Sequence, residues 1–337
     1  MPPSTIAHRP GSAGWIKALT REMTGRTVAR ITAPGGRGRA SARLELADGG
    51  TLIATRRDEP RRTEVEAALL QAMARAGAPA PAVAGYRDGL LLQEDAGRER
   101  LSWRLARAEG AEALALARAA VAALEACREA LAASDLAPRL PGLGTRPGWA
   151  EDFVARPVFL SGDLGIAPPR ADADALAAAL AAAPERPTRW DARAGNAAVA
   201  PDGRVVWYDW AVAGRRAGVE DLAWLLADPA WPLDAAASAA VLADVPGLDA
   251  ARGALLRRMA VVLGAHSLAV TARAVRAGGW PDDPDEALRL DRAAIAPATV
   301  RAQAARLAEL AAADALTAPY ADWFAAAGPA VGALRAG

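Results

Sequence analysis

The periodicity of this chain changes once, near residue 100, and that change limits the possible folds more than any other feature. Before it, "RTVARITA", "ASARLELA" and "TLIATRR" alternate apolar and polar residues, separated by "PGGRGR" and "DGG". Period two with glycine-rich turns predicts antiparallel strands joined by hairpins. A short helix candidate, "GWIKALTREM", precedes them. The run "RRTEVEAALLQAMARAG" then sets Val65, Leu69, Ala72 and Met73 on one helical face and stops at Gly77. "APAPAVAGY" reads as an extended proline-rich connector, and "GLLLQEDAG" as one more strand leaving into a turn. Beyond residue 100, Ala/Leu/Arg segments at 110–134, 172–183, 235–243, 250–276 and 296–314 predict helices, since these residues lose little side-chain freedom there. The expected architecture is α+β in two lobes. Residues 1–95 form a small antiparallel sheet with one helix, and residues 96–337 form a mostly helical lobe.

The 337 residues suffice for a core in each lobe. Arginines are matched by acids to a net charge of +1, which gives no footprint for a nucleic-acid partner. Cys127 is the only cysteine and lies inside a helical pattern, so an inert buried thiol is expected and no disulfide can close within the chain. His8 and His266 are the only histidines and neither lies near a Cys, His or Asp cluster, which removes support for a zinc site or a Ser-His-Asp triad. "MPPSTIAHRPGSAGW" lacks the apolar segment of a signal peptide, and no uncharged run of about twenty apolar residues suggests a membrane span. A cytoplasmic protein without a membrane partner is expected.

One stretch in the helical half departs from its surroundings. "RWDARAGNAAVAPDGRVVWYDW", residues 189–210, places Asp191 five positions before Asn196, then a hairpin pattern turning at Asp202-Gly203, then Asp209. Phosphoryl transfer needs a carboxylate to orient or deprotonate the attacking hydroxyl, and oxygen ligands that hold Mg²⁺ against the phosphates. A D-x-x-x-x-N loop, a hairpin and a second Asp supply those groups around one cleft. Asp191 is the candidate base, with Asn196 and Asp209 the candidate metal ligands.

These residues resemble the catalytic segment of the aminoglycoside phosphotransferase and choline kinase-like enzymes, a branch of the protein-kinase-like fold. That family reads H-G-D-x-x-x-x-N, a hairpin, then I-D-W; this chain has Arg189-Trp190-Asp191, Asn196 and Tyr208-Asp209-Trp210. "AGVEDLAWLL" is similar to the segment downstream, where Asp221 begins a structural helix. "EAALLQAMARAGAPAP" resembles the small-lobe helix and its bend, which makes Glu66 the ion-pairing acid. "LLLQEDAG" resembles the hinge strand, where backbone groups of Gln93, Glu94 and Asp95 would meet the base. The resemblance spans residues 24 to 230. It implies a two-lobed kinase-like fold and a Mg²⁺-requiring phosphotransferase that uses ATP or GTP on a small-molecule hydroxyl.

Two departures bear on activity. Arg189 stands where the family has histidine, and "TLIATRR" lacks the lysine that meets the α- and β-phosphates. Matching "IATR" to the family strand selects Arg56 as the replacement cation and Glu66 as its partner, with Thr55 the rival register and Arg57 on the opposite face. "PGGRGRAS", residues 34–41, suits a phosphate-covering loop, from which Ser41 could donate to a phosphate. The missing lysine also raises a different reading, a nucleotide-binding pseudokinase that acts through partners. The acid-rich loop "WPDDPDEALRLD" (Asp282, Asp283, Asp285, Glu286) could face a polycationic substrate or simply be solvated.

Overall fold

The computed structural model describes residues 9–33, 40–181 and 185–337. In the N-terminal lobe α1 (Ala13–Thr24) precedes β1 (Val28–Thr32), β2 (Ser41–Leu46) and β3 (Thr51–Thr55). Next come α2 (Pro60–Arg75), β4 (Val83–Arg87) and β5 (Leu90–Glu94). The five strands form one antiparallel sheet in the order β1-β2-β3-β5-β4. Ser12 caps α1 by accepting from the Trp15 amide at 3.3 Å, and Gly25 ends the helix in the left-handed region. Trp15 and Leu19 of α1 bury Leu44, Leu52, Ala54 and Leu92 on one sheet face. On the other side Leu69, Leu70 and Met73 of α2 join Leu91 in the main core.

Two sequence expectations change here. The connector "APAPAVAGY" contains the edge strand β4, whose register shifts between Val83 and Gly85. A Cβ at Gly85 would come within 3.0 Å of Met23, so the glycine that masks the strand pattern is what admits α1. Val65, placed on the apolar face of α2, is instead 42% exposed. Glu66 takes the buried position beside it.

The C-terminal lobe opens with β6 (Glu99–Arg100), α3 (Leu101–Leu105), α4 (Gly110–Ala132), α5 (Trp149–Val154), α6 (Arg156–Leu164) and α7 (Ala173–Leu180). The central segment is β7 (Arg186–Thr188), β8 (Ala197–Val199), β9 (Val205–Trp207) and β10 (Gly214–Arg216). It is followed by α8 (Glu220–Ala227), α9 (Ala235–Leu242), α10 (Ala250–Gly278), α11 (Pro284–Arg289), α12 (Pro297–Ala312) and α13 (Pro319–Gly332). The predicted long helices are all present, whereas α5, α6 and α13 carry too many breakers or too little periodicity to be read beforehand. β8 and β9 form the expected hairpin, closed by Ala200 and Arg204 with Gly203 at φ +85°. β6 extends that hairpin, and β7 pairs separately with β10.

By length and composition α10 is apolar enough to cross a membrane. It is the core helix of this lobe, with Leu256, Met259, Val261, Val262, Leu263 and Leu268 buried among its neighbours. Cys127 is fully buried in α4, and burial pushes its thiol up to about 12, which makes it inert.

Candidate active site

The loop after β7 is held by carboxylates from below. Asp221, fully buried in the first turn of α8, accepts the amide of Arg189 at 2.8 Å and that of Trp190 at 2.7 Å. Asp228 accepts the amides of Ala194 and Ala230, each at 2.7 Å. These bonds hold Trp190 at φ +73°, a conformation bulky residues avoid unless their surroundings over-determine it. Asp221→Ala would leave two amides without acceptors at about 1–3 kcal/mol each. A loss of about 2–6 kcal/mol in denaturant unfolding is therefore expected, and an unchanged midpoint would show that the loop does not depend on it.

Arg189, at the position where the resembled family has histidine, is fully buried. Its guanidinium donates to the carbonyls of Asp191, Tyr208 and Asp209, and lies over the rings of Trp207 and Trp210. One side chain thus ties the Asp191 loop to the Asp209 segment. Asp209 itself adopts φ +66°, a second left-handed non-glycine residue within the site.

The Asp191 carboxylate accepts Nδ2 of Asn196 at 2.9 Å and Nε of Arg193 at 2.8 Å. Burial favours its neutral form, yet the Arg193 charge and hydrogen bond, with Arg189 and Asn196, hold its pKa below the ordinary carboxylate value. With its amide nitrogen spent on Asp191, Asn196 keeps its side-chain oxygen for a cation. Asn196, Asp209 and Glu66 line one cavity of about 500 Å³ between the lobes, together with Ser41, Gln93, Glu94 and Asp95. Asp191 meets this wall through Asn196.

Of the two adjacent arginines, Arg57 and not Arg56 lines the cavity, which corrects the assignment to Arg56. Leu52 and Ala54 point toward α1, whereas Ile53 and Thr55 line the cavity. Strand alternation carries Arg57 to the cavity side and sends exposed Arg56 toward Gly11. The Arg57 guanidinium donates to Glu66 Oε2 at 2.9 and 3.1 Å, and to Asp209 Oδ1 at 2.6 Å. Glu66 is 2% exposed and uses its other oxygen to accept the Trp210 amide at 3.0 Å. Burial pushes its carboxyl up, against the pull of Arg57. Thr55, the rival position, shares a 2.8 Å hydrogen bond with Ser41 on the cavity wall. The rest of the glycine-rich stretch, residues 34–39, lies outside the described residues.

At the hinge, the amide of Glu94 is taken by the Ala82 carbonyl. The Asp95 carboxylate forms a near-buried bidentate pair with Arg43 at 2.6 and 2.9 Å. Gln93 offers its side chain as well, since Oε1 is buried on the cavity wall without a partner. Arg43, Arg193 and Asp291 are cavity or loop residues that the sequence reading passed over. Arg193 had a visible signal, two positions after Asp191. Arg43 shares the strand parity of Ser41, and Asp291 reaches the loop from far along the chain, donated to by Arg193 at 3.1 Å.

Among the described residues no three His, Cys, Asp or Glu side chains cluster as a cage for a metal ion. The donor set fits Mg²⁺ in a different way, as one carboxylate and one carboxamide with the remaining positions left to phosphate and water.

No protein-family model matches the sequence, and no curated protein matches it. Among solved structures, an aminoglycoside phosphotransferase from Alicyclobacillus acidocaldarius subsp. acidocaldarius DSM 446 superimposes with a TM-score of 0.50 at 13% identity, covering 84% of this chain and 91% of that one. Spectinomycin phosphotransferase APH(9)-Ia, in complex with ADP and spectinomycin, gives a TM-score of 0.51 at 10% identity, over 79% and 89% of the two chains. At such identities the likeness is one of fold. This chain has the two-lobed kinase-like fold of the aminoglycoside phosphotransferases.

Proposed function

We propose that the protein is a Mg²⁺-dependent phosphotransferase that moves the γ-phosphoryl group of ATP or GTP to a hydroxyl of a small molecule. The observation that carries this is the meeting of Asn196, Asp209, Arg57 and Glu66 on one cavity wall, with Asp191 bonded to Asn196 behind it. A fold needs none of these polar groups in a cleft, where each costs desolvation.

In the reaction the acceptor oxygen forms its bond to the γ-phosphorus as the bond to the β–γ bridging oxygen breaks. The nucleoside diphosphate leaves, and the hydroxyl proton passes to the Asp191 carboxylate. Asn196 holds that carboxylate in place, and Arg193 keeps it ionised. Asn196 Oδ1 and Asp209 would hold Mg²⁺, which when bound supplies charge neutralisation along the phosphates. Arg57 is the phosphate cation, oriented by Glu66, and the hinge with Gln93 receives the base.

A second reading has one specific observation in its favour. Arg57 pairs with Asp209 at 2.6 Å, so the metal carboxylate is already neutralised by an arginine where the family has a lysine. A pseudokinase could rest in that state, whereas a kinase must let Mg²⁺ and phosphate share or displace the pair. Thermal stabilisation by ATP or GTP, with and without Mg²⁺, separates the two. Mg²⁺-dependent stabilisation that disappears in Asp209→Asn is expected, followed by ADP or GDP release in a screen of hydroxyl-bearing metabolites. Nucleotide binding indifferent to Mg²⁺ and to Asp209→Asn favours the pseudokinase.

A further inference from the structure

A second cavity, of about 560 Å³, lies beyond the catalytic loop. Arg193 and Gly195 of that loop form one end, and Asp291 lines both this cavity and the nucleotide cavity. A Cβ at Gly195 would collide with Asp291 Oδ1 at 1.9 Å, so the glycine permits the close approach at this junction. The other walls come from α8, α10 and the segment after α11, with Val270, Leu288, Ile295 and the Trp224 ring as the apolar surface.

The polar groups facing the cavity are unevenly divided. Ser102 is 5% exposed, and its hydroxyl is buried on the wall without a partner. The Trp224 indole Nε1, a donor only, is likewise buried and unpartnered. Arg292 at the exposed rim makes no ion pair among the described residues. The carboxylate and imidazole acceptors are already engaged. Asp228 gives both oxygens to backbone amides, Asp291 is paired with Arg193, and His266 Nδ1 meets Arg156 at 2.6 Å. Burial with Arg156 and Arg273 pushes the His266 imidazole down to about 4, so it is neutral near pH 7.

The acid-rich loop does not alter this balance. Asp283 caps α11 by accepting the amides of Asp285 and Glu286, and Asp285 pairs outside with Arg107. None of Asp282, Asp283, Asp285 and Glu286 lines the cavity. A ligand carrying several ammonium groups would find no free carboxylate here and would lose its hydration without compensation. A ligand rich in acceptors would satisfy both orphaned groups.

We propose that this cavity receives the phosphoryl acceptor, and that the acceptor is a hydroxyl-bearing molecule with an apolar body, uncharged or singly anionic, not a polycation. The proposal rests on the phosphotransferase reading for the word acceptor, but its binding chemistry stands alone. Arg193, which lines the cavity, donates to both Asp191 and Asp291, so a hydroxyl presented at that end lies one side chain away from the proposed base.

The test is isothermal titration of the parent, Trp224→Phe and Ala274→Trp with 4-hydroxyphenylacetate and pantothenate as hydroxylated carboxylates, and kanamycin as polycation. Nucleotide stabilisation is measured in parallel. At least one carboxylate is expected to bind the parent, with affinity reduced about fivefold in Trp224→Phe, which removes the indole N–H together with the pyrrole part of the ring. Ala274→Trp fills the cavity and should abolish that binding while leaving Mg²⁺-nucleotide stabilisation unchanged. Binding of kanamycin alone, no binding of either carboxylate, or carboxylate binding unaffected by both variants overturns the proposal. Absence of Mg²⁺-nucleotide stabilisation in the parent overturns the phosphotransferase reading instead, whatever the cavity binds.

Discussion

Asp191→Asn is expected to lower phosphoryl transfer by about 10²–10⁴-fold while Mg²⁺-dependent nucleotide stabilisation is retained. In the proposed mechanism the carboxylate acts on the acceptor hydroxyl, and the cavity proposed for the nucleotide is walled by its neighbours, so the loss should fall on kcat. The pH dependence follows from the same contacts. Burial alone would raise the Asp191 pKa, but Arg193, Arg189 and Asn196 bring it below the ordinary value. A depressed folded pKa contributes stability above the unfolded pKa of about 3.9, lost as pH falls through the folded value. The parent should therefore show no acid limb from this group above about pH 5. Arg193→Ala removes the largest opposing influence and leaves the burial, so an acid limb should move upward into the measurable range. Full turnover by Asp191→Asn would remove the base assignment, and a pH profile unmoved by Arg193→Ala would remove the role given to Arg193.

Arg57→Ala carries the other large effect. Its guanidinium is the only cation in hydrogen-bonding contact with Glu66 among the described residues, and Glu66 is 2% exposed. Breaking one side of a buried pair costs about 3–5 kcal/mol, because the remaining charge stays desolvated. Protonation of Glu66, already favoured by burial, caps the loss, so the melting temperature should recover partly as pH is lowered. Nucleotide affinity should also fall, since a charge-assisted contact is worth about 1.5–3 kcal/mol. Arg56→Ala lies on the exposed side of the same strand and should change stability by no more than about 0.5 kcal/mol. Equal effects from the two variants would contradict the strand parity. A stable Arg57→Ala that binds nucleotide like the parent would favour the pseudokinase reading.

How far the sequence could be read depended on how local each determinant was. The β8–β9 hairpin was legible because Asp202-Gly203 sits between two apolar runs. The D-x-x-x-x-N spacing likewise fixes the Asp191–Asn196 hydrogen bond within one loop, where few other geometries are open. The small-lobe cation shows the opposite case. Two adjacent arginines differ only in parity, and parity is set by which strand residues face α1, so matching a motif chose the wrong neighbour. Leu52 and Ala54, both buried against α1, were the residues that could have decided it.

Local chemistry in the sequence therefore determined the two-lobed α+β architecture, the hairpin and the residues of the Asp191–Asn196 loop. Each rests on periodicity, turn residues or a spacing of a few positions. Only the tertiary structure decided that Arg57 bridges Glu66 and Asp209, that Arg189 ties two segments together, and that Asp291 closes on Gly195. It also decided that the acids of the 282–286 loop turn away from the cavity. These are contacts between residues up to 178 positions apart. Their geometry follows from how helices and sheet pack, and packing is a property of the whole chain that no short window of sequence contains.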